Sequence, residues 1–352
     1  MSTPPADHAE RFRRAFAGFD PHRPVLVMTH NDADGLSAGA LLWRALGRVD
    51  RPAALRILGR GENPWTPEIR AELAGQDLGG LLVLDLGVRA GAALAPGVPT
   101  IVIDHHVPTG VPEGATTISG YGEEPTPTTS LLAHACAGTL TDMSDLLWLA
   151  AVGAIGDLGD KAPFPEIAAA KKTYTGTALR ELVSLVNAPR RTASGDPMPA
   201  WTLLVEADNP KDAIGGRHAG VEALRRAREE VKEEVDRAKR APPRVKGEVA
   251  LIVVDSPAQV HPLVAQTWKT RLKDKIVIAA NTGFRPGWVH FAVRSGTGVN
   301  LIAWLRDHAP DDAEAEHYGN GHEQATGGAL SGAAWAQFLH KIGHAELAEA
   351  RS

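Results

Sequence analysis

Three short runs near the start of the chain, Val25 to His30, Leu81 to Leu86 and Thr100 to Asp104, are mostly apolar, rich in Val, Ile and Leu, and each meets a polar cluster at its end. Runs of that length without polar alternation predict strands buried on both faces of a parallel sheet. Between them, Leu36 to Leu46 and Pro67 to Leu73 place apolar residues at helical spacing. Strand and helix therefore alternate, which predicts an α/β domain with a doubly wound, mostly parallel sheet and helices on both faces. In such sheets ligands sit beyond the carboxyl ends of the strands, where each polar cluster falls.

From about Ser130 to Leu185 the pattern is mainly helical, and Leu146 to Ile155 is apolar almost all round, so a buried helix is expected there. Arg217 to Lys246 holds ten basic and six acidic side chains, begins with amphipathic spacing and ends in Ala-Pro-Pro-Arg. That composition predicts a solvated connecting helix running into a linker. Beyond it, Val249 to Asp255, Ile276 to Ala280 and Val289 to Val293 read as strands, and Leu301 to Arg306 and Ala333 to Leu339 as helices. The expected organisation is a first domain over 1–216, a connecting helix and linker over 217–246, and a smaller α/β C-terminal domain over 247–352. No internal repeat is evident. The Pro/Thr stretch Glu124 to Thr129 and the Ala-rich tail read as low-complexity segments, and Trp43, Trp148, Trp201 and Trp304 as core residues.

Composition narrows the classes. With 352 residues, of which 43% are hydrophobic and 22% charged, the chain can bury two sizeable cores. A formal net charge of -5 argues against a surface that is wholly a phosphate sink, although a local basic groove remains compatible. The single Cys136 excludes a disulfide framework or a Cys-rich zinc site and suits a reducing compartment. No apolar run reaches membrane-spanning length and the first twenty residues are charged rather than apolar, so a cytoplasmic location without membrane association is expected.

Four clusters carry chemistry. Thr29-His30-Asn31-Asp32-Ala33-Asp34-Gly35 follows a strand and opens a helix. On an extended strand end, His30, Asp32 and Asp34 project to one side and can converge on divalent cations. Helix capping by the same carboxylates is an equal reading. The strand-end acid Asp85 is by itself an ordinary turn residue. Asp104-His105-His106 is sharper, because a carboxylate and two imidazoles delivered by a buried strand are costly to desolvate unless something binds them. Asp157 closes an apolar helix, where it opposes the macrodipole and calls for a nearby cation. Taken together, carboxylates with imidazoles suit Mn²⁺ or Mg²⁺ better than a thiolate-loving metal. A pair of such ions is a general device for displacement at phosphorus.

The order and approximate spacing of H-N-D-A-D-G, Asp85, D-H-H and the G-D at Asp157 resemble the four motifs of the DHH phosphoesterase superfamily. Gly319-Asn320-Gly321-His322-Glu323-Gln324-Ala325-Thr326-Gly327-Gly328 resembles the glycine-histidine-glycine signature of that superfamily's associated C-terminal domain. The first motif, D-x-D-G-L, is more similar to the RecJ branch of single-strand exonucleases than to the pyrophosphatase branch. Asn187 to Arg191 resembles the RecJ branch's Asn-Ala-x-Gly-Arg segment, with Pro-Arg-Arg in place of its last three positions.

The resemblance implies two ions, Mn²⁺ with Mg²⁺ as the alternative. His30, Asp32 and Asp85 would hold one, and Asp34, Asp85, His105 and Asp157 the other, with Asp85 bridging and a metal-bound water as nucleophile. Asp104 would orient its neighbours and His106 would stabilise charge on the phosphoryl oxygens. His322 and the backbone amides of Gly327 and Gly328 would hold a phosphate or terminal nucleotide, with Arg294 and Arg190 as further phosphate contacts. The implied activity is metal-dependent phosphodiester hydrolysis at the end of single-stranded DNA or a short oligonucleotide. The alternatives are hydrolysis of a small phosphoester, such as a cyclic dinucleotide, dinucleotide or phosphoadenosine phosphate, or a non-catalytic nucleic-acid-binding factor. The larger exonucleases carry an OB-type strand-gripping domain for which this sequence leaves no length, so short substrates are expected. A homodimer is compatible with the resemblance.

Overall fold

The computed structural model describes residues 7–311, 313 and 318–349. Two compact units form: one runs to Arg190 and resumes over Gly195–Arg228, and the other takes Arg191–Ser194 and continues from Glu229.

The first unit contains α1 (His8–Phe16), β1 (Val25–Thr29), α2 (Ala33–Arg48), β2 (Ala53–Ile57), α3 (Pro67–Leu73), β3 (Gly80–Leu84), β4 (Arg89–Gly91), β5 (Thr100–Asp104), β6 (Thr109–Pro112) and β7 (Ala115–Ser119). It continues with α4 (Thr129–Ala137), α5 (Leu147–Leu158), α6 (Pro165–Tyr174), α7 (Gly176–Asn187), α8 (Met198–Glu206), α9 (Pro210–Ile214) and the first half of α10 (Gly220–Ala238). The main sheet has the order β2-β1-β3-β5-β7 and every neighbouring pair is parallel. Strands β4 and β6 pair separately.

Period-two alternation explains why the central strands have no polar face. Val25, Val27, Leu82, Leu84, Ile101 and Ile103 point into one core with α2, α4, α5 and α7. Leu26, Met28, Leu81, Val83 and Val102 point into a second core closed by Leu58, Ile69, Leu73 and Leu94. Both sheet faces are covered as expected, though unequally: α3 and loops cover the second. The edge strands β2 and β7 are additions to the sequence reading, being only half-buried and lacking an apolar run. Trp148, Trp201 and Trp304 are buried and Trp43 packs against the first core.

The second unit contains β8 (Arg244–Lys246), β9 (Val249–Val254), α11 (His261–Arg271), β10 (Ile276–Arg285), β11 (Trp288–Ser295), α12 (Leu301–Asp307), β12 (Tyr318–His322), β13 (Ala325–Ser331), α13 (Gly332–Lys341) and α14 (Glu346–Glu349). Its sheet runs β12-β13-β11-β10-β9-β8, parallel between β9 and β10 and antiparallel elsewhere. The segment read as connecting helix and linker is divided. Val221 and Leu224 of α10 enter the core of the first unit, Val231, Val235 and Ala238 enter a core of the second, and Arg244–Lys246 is an edge strand. The glycine-rich signature Gly319 to Gly328 falls on the β12–β13 hairpin. No helix among the described residues is long and apolar enough to cross a membrane.

Candidate active site

The inner strands end where the chemistry begins. Strand β1 runs into His30 and Asp32, β3 into Asp85, and β5 into Asp104, His105 and His106. Asp32 is the N-cap of α2, its Oδ1 accepting from Gly35 N at 3.0 Å, so the capping reading holds for one oxygen. Its Oδ2 lies 3.0 Å from His30 Nδ1. Gly35 is required here, since a Cβ would come within 2.7 Å of the His30 Cβ. Asp34, fully buried in the first turn of α2, accepts from Thr129 N (2.8 Å) and Ser130 N (3.0 Å) at the start of α4. Asp85 adopts φ +61°, a left-handed conformation uncommon outside glycine and characteristic of functional turns. Thr129 Oγ1 donates to its Oδ1 at 3.0 Å.

Asp85 belongs to one set of side chains and faces His105 of a second. His30, Asp32 and Asp85 present ligand atoms within 4.8 Å of one another, as do Asp34, His105 and Asp157. His30 Nδ1 lies 3.4 Å from Asp85 Oδ2, while His105 Nε2 lies 3.5 Å from Asp85 Oδ1, so the two oxygens of one carboxylate face the two sets. His105 Nε2 is also 3.2 Å from Asp157 Oδ2 and 3.9 Å from Asp34 Oδ2. This imidazole is the counter-charge that Asp157 needs near the carboxyl end of α5. Asp104 holds a third arrangement: Oδ2 accepts from Gly87 N (2.7 Å), and Oδ1 accepts from His106 N (2.7 Å) and faces its Nδ1 at 3.1 Å.

Charge crowding governs the protons. Burial pushes Asp34 up to about 8, reinforced by the carboxylates of Asp85 and Asp157. Burial and then Asp32 push Asp85 up to about 6. Burial disfavours charge on His30, but Asp32 and Asp85 outweigh it and the ring rises to about 10. His105 likewise rises to about 10 against its burial, through Asp157, Asp34 and Asp85. For Asp104 and Asp32, burial opposes ionisation, yet His106 in the first case and His30 with Arg190 in the second hold the carboxyl below its usual range.

The donor set suits a hard divalent cation: five carboxylates and three imidazoles gather at strand and helix ends, with no thiolate. His30 Nδ1 is buried and makes no hydrogen bond despite two carboxylate oxygens within 3.4 Å, the condition of a ligand atom awaiting a cation. The residues present therefore fit Mn²⁺ or Mg²⁺.

Sequence reasoning missed Thr129 and Ser130 and gave Asn187, part of the Asn187 to Arg191 segment, no role in building this site. Thr129 and Ser130 fasten Asp34 and Asp85 to α4, although the Pro/Thr stretch that ends on Thr129 read as low complexity. Thr/Ser directly ahead of an apolar helical run was the available signal. Asn187 Oδ1 accepts from Ala33 N at 3.1 Å, pinning the start of α2. Gly153 completes the packing, since a Cβ there would fall 2.2 Å from Ser130 Oγ and 2.6 Å from Asp34 Oδ1. Gly153→Ala is therefore expected to lower stability by about 1–3 kcal/mol through overpacking. The urea-unfolding midpoint measures this; an unchanged midpoint would mean Ser130 yields at no cost.

Arg190 reaches back to Asp32, Nη1 to Oδ2 at 3.3 Å, so it stands beside the His30 set. In the second unit, His322 is exposed at the end of β12. Gly327 and Gly328 lie within β13, between β11 and β12. Gly327 admits close strand approach, a Cβ there falling 2.2 Å from Phe291 O. Arg294 is a half-buried strand residue whose Nη1 donates to the carbonyls of Val293 (2.9 Å) and Thr326 (3.2 Å).

An all-parallel sheet delivering a carboxylate and imidazole cluster at its carboxyl edge defines the class as an α/β fold with a candidate metal site where such sheets bind ligands. Residues 24–154 match the DHH family, N-terminal domain. That family match falls within the first unit, and the fold of the chain is similar to that of RecJ. RecJ from Thermus thermophilus, in complex with Mn²⁺, is similar with a TM-score of 0.72 at 21% identity, over 100% of this chain and 56% of that one. The chain thus spans about half the length of that protein. Exonuclease RecJ bound to manganese gives a TM-score of 0.66 at 21% identity over 99% of this chain and 96% of that one. CDC45 from Entamoeba histolytica gives 0.57 at 9% identity, over 95% and 98%. No curated protein matches the sequence.

Proposed function

We propose that the protein is a metal-dependent phosphodiesterase that hydrolyses bonds at the end of single-stranded DNA or short oligonucleotides. The observation that carries this reading is the placement of Asp85, whose two oxygens face two separate ligand sets. His30, Asp32 and Asp85 would hold one cation, and Asp34, Asp85, His105 and Asp157 the other. The RecJ structures from Thermus thermophilus were solved with Mn²⁺ and with Mg²⁺, which supports the same pair of candidates here. When bound, two such cations polarise a phosphoryl oxygen and lower the pKa of water.

The protein's own groups orient and stabilise. Asp104 Oδ1 accepts from the His106 ring at 3.1 Å and fixes it. Burial disfavours charge on His106, yet Asp104 outweighs it and raises the ring to about 9, so at neutral pH it is a cation. Its protonated imidazole would stabilise charge developing on a phosphoryl oxygen. Arg190 offers a second cation beside Asp32. His322, with Arg294 and the Gly327–Gly328 strand, is assigned to the substrate's phosphate or terminal nucleotide.

The test is hydrolysis of end-labelled single strands of two to thirty nucleotides, DNA and RNA in parallel, with Mn²⁺ or EDTA. Mn²⁺-dependent release of nucleotides is expected, strongest on short strands. Activity confined to a small phosphoester would replace the substrate, and no activity on any phosphodiester would overturn the reading.

A further inference from the structure

We propose that Tyr121 is the platform on which the base of the reacting nucleotide stacks, a specificity role that rests on the phosphodiesterase reading above. Of seven Phe, eight Trp and three Tyr, Tyr121 alone is exposed, at 51%; the rest are buried or half-buried. Its position is fixed by the cluster on both sides. Ser119, at the end of β7, pairs with Asp104, and Gly120 N donates to the Asp104 carbonyl at 3.2 Å. Tyr121 N then donates to Ser119 Oγ at 3.2 Å. At the far end of the same loop, Thr129 and Ser130 bind Asp34 and Asp85. The loop also closes on itself, because a Cβ on Gly120 would fall 2.6 Å from Pro127.

A ring held in water by a loop anchored at one end on the Asp104 backbone and at the other on the Asp34 and Asp85 carboxylates has no packing purpose of its own. Other exposed apolar side chains follow site residues directly in the chain: Val107 follows His106 and Leu158 follows Asp157. Exposed apolar side chains adjoining a charged cluster in the chain suit a site that takes an anion with a flat apolar group attached. A nucleotide is such a ligand, and a fixed aromatic face accepts any base.

The experiment compares wild type, Tyr121→Ala and Tyr121→Phe on two Mn²⁺-supported substrates, a trinucleotide and the same trinucleotide with an abasic terminal residue. Binding of each labelled trinucleotide is also followed by fluorescence anisotropy in EDTA. Tyr121→Ala is expected to raise KM and Kd for the base-bearing strand about tenfold, with kcat little changed and the abasic strand unaffected; Tyr121→Phe should behave as wild type. Unchanged KM and Kd in an enzyme whose wild type is active, or an equal rise for the abasic strand, would overturn the stacking role alone. If wild type cleaves neither strand, the phosphodiesterase reading falls and the role of Tyr121 with it. The ring packs on no core, so its truncation leaves the fold in place.

Discussion

Asp85→Asn is expected to abolish Mn²⁺-supported hydrolysis, with kcat falling by at least about 100-fold, while the far-UV circular dichroism stays that of the wild type. Asparagine keeps the shape of the side chain and an oxygen able to accept from Thr129 Oγ1, so the turn at φ +61° retains its hydrogen bond. What disappears is the negative charge that faces His30 on one side and His105 on the other. Any other single ligand is assigned to one cation; Asp85 is assigned to both. Calorimetric titration with Mn²⁺ should accordingly show fewer than two sites, not merely one weaker site. Turnover near the wild-type rate would sink the shared-ligand assignment, and loss of the circular dichroism signal would mean that the carboxylate is needed for folding rather than for chemistry.

What could be read from the sequence follows from how directly each feature is coded. Strands β1, β3 and β5 are buried on both faces, so their residues have to be apolar without interruption, and the runs mark them within a residue or two. Strands β2 and β7 lie at the sheet edges, where Arg56 and Thr117 are tolerated, and no such run announces them. Strands β12 and β13 are masked by glycines, which weaken strand patterning. Their reason is tertiary: Gly327 sits where the Phe291 carbonyl approaches. The residue types of the site were visible because Asp and His at the ends of apolar strands conflict with local burial. Their partners were not. Thr129, Ser130 and Asn187 meet Asp34, Asp85 and Ala33 across 44 to 154 positions of chain, and Thr, Ser and Asn near helix ends have ordinary capping uses. Tyr121 gave no signal in sequence, since an aromatic residue is by default a core residue.

Mn²⁺ is expected to raise the unfolding midpoint of the metal-free protein by about 5–10 °C at 100 times its dissociation constant, and to raise it more at pH 8.5 than at pH 6. The direction comes from the protons of the empty cluster. His30 and His105 lie at about 10 and His106 at about 9 in the fold, against 6.5 when unfolded. A group whose folded pKa is raised contributes stability that is fully present below its unfolded pKa and is lost as pH rises through the folded one. For these rings the loss runs from about pH 6.5 to 10. Asp34, at about 8 against 3.8, loses its contribution between those values. The metal-free midpoint should therefore fall from pH 6 to pH 8.5. A cation takes the deprotonated nitrogens and ionised carboxylates, so it meets the least competition where the empty cluster is weakest, and its binding releases protons. Scanning fluorimetry across that range in EDTA and in Mn²⁺ measures the two trends, and calorimetry in buffers of different ionisation enthalpy counts the protons. A stabilisation that is flat with pH, with no proton release, would mean that the ion binds outside these histidines and carboxylates.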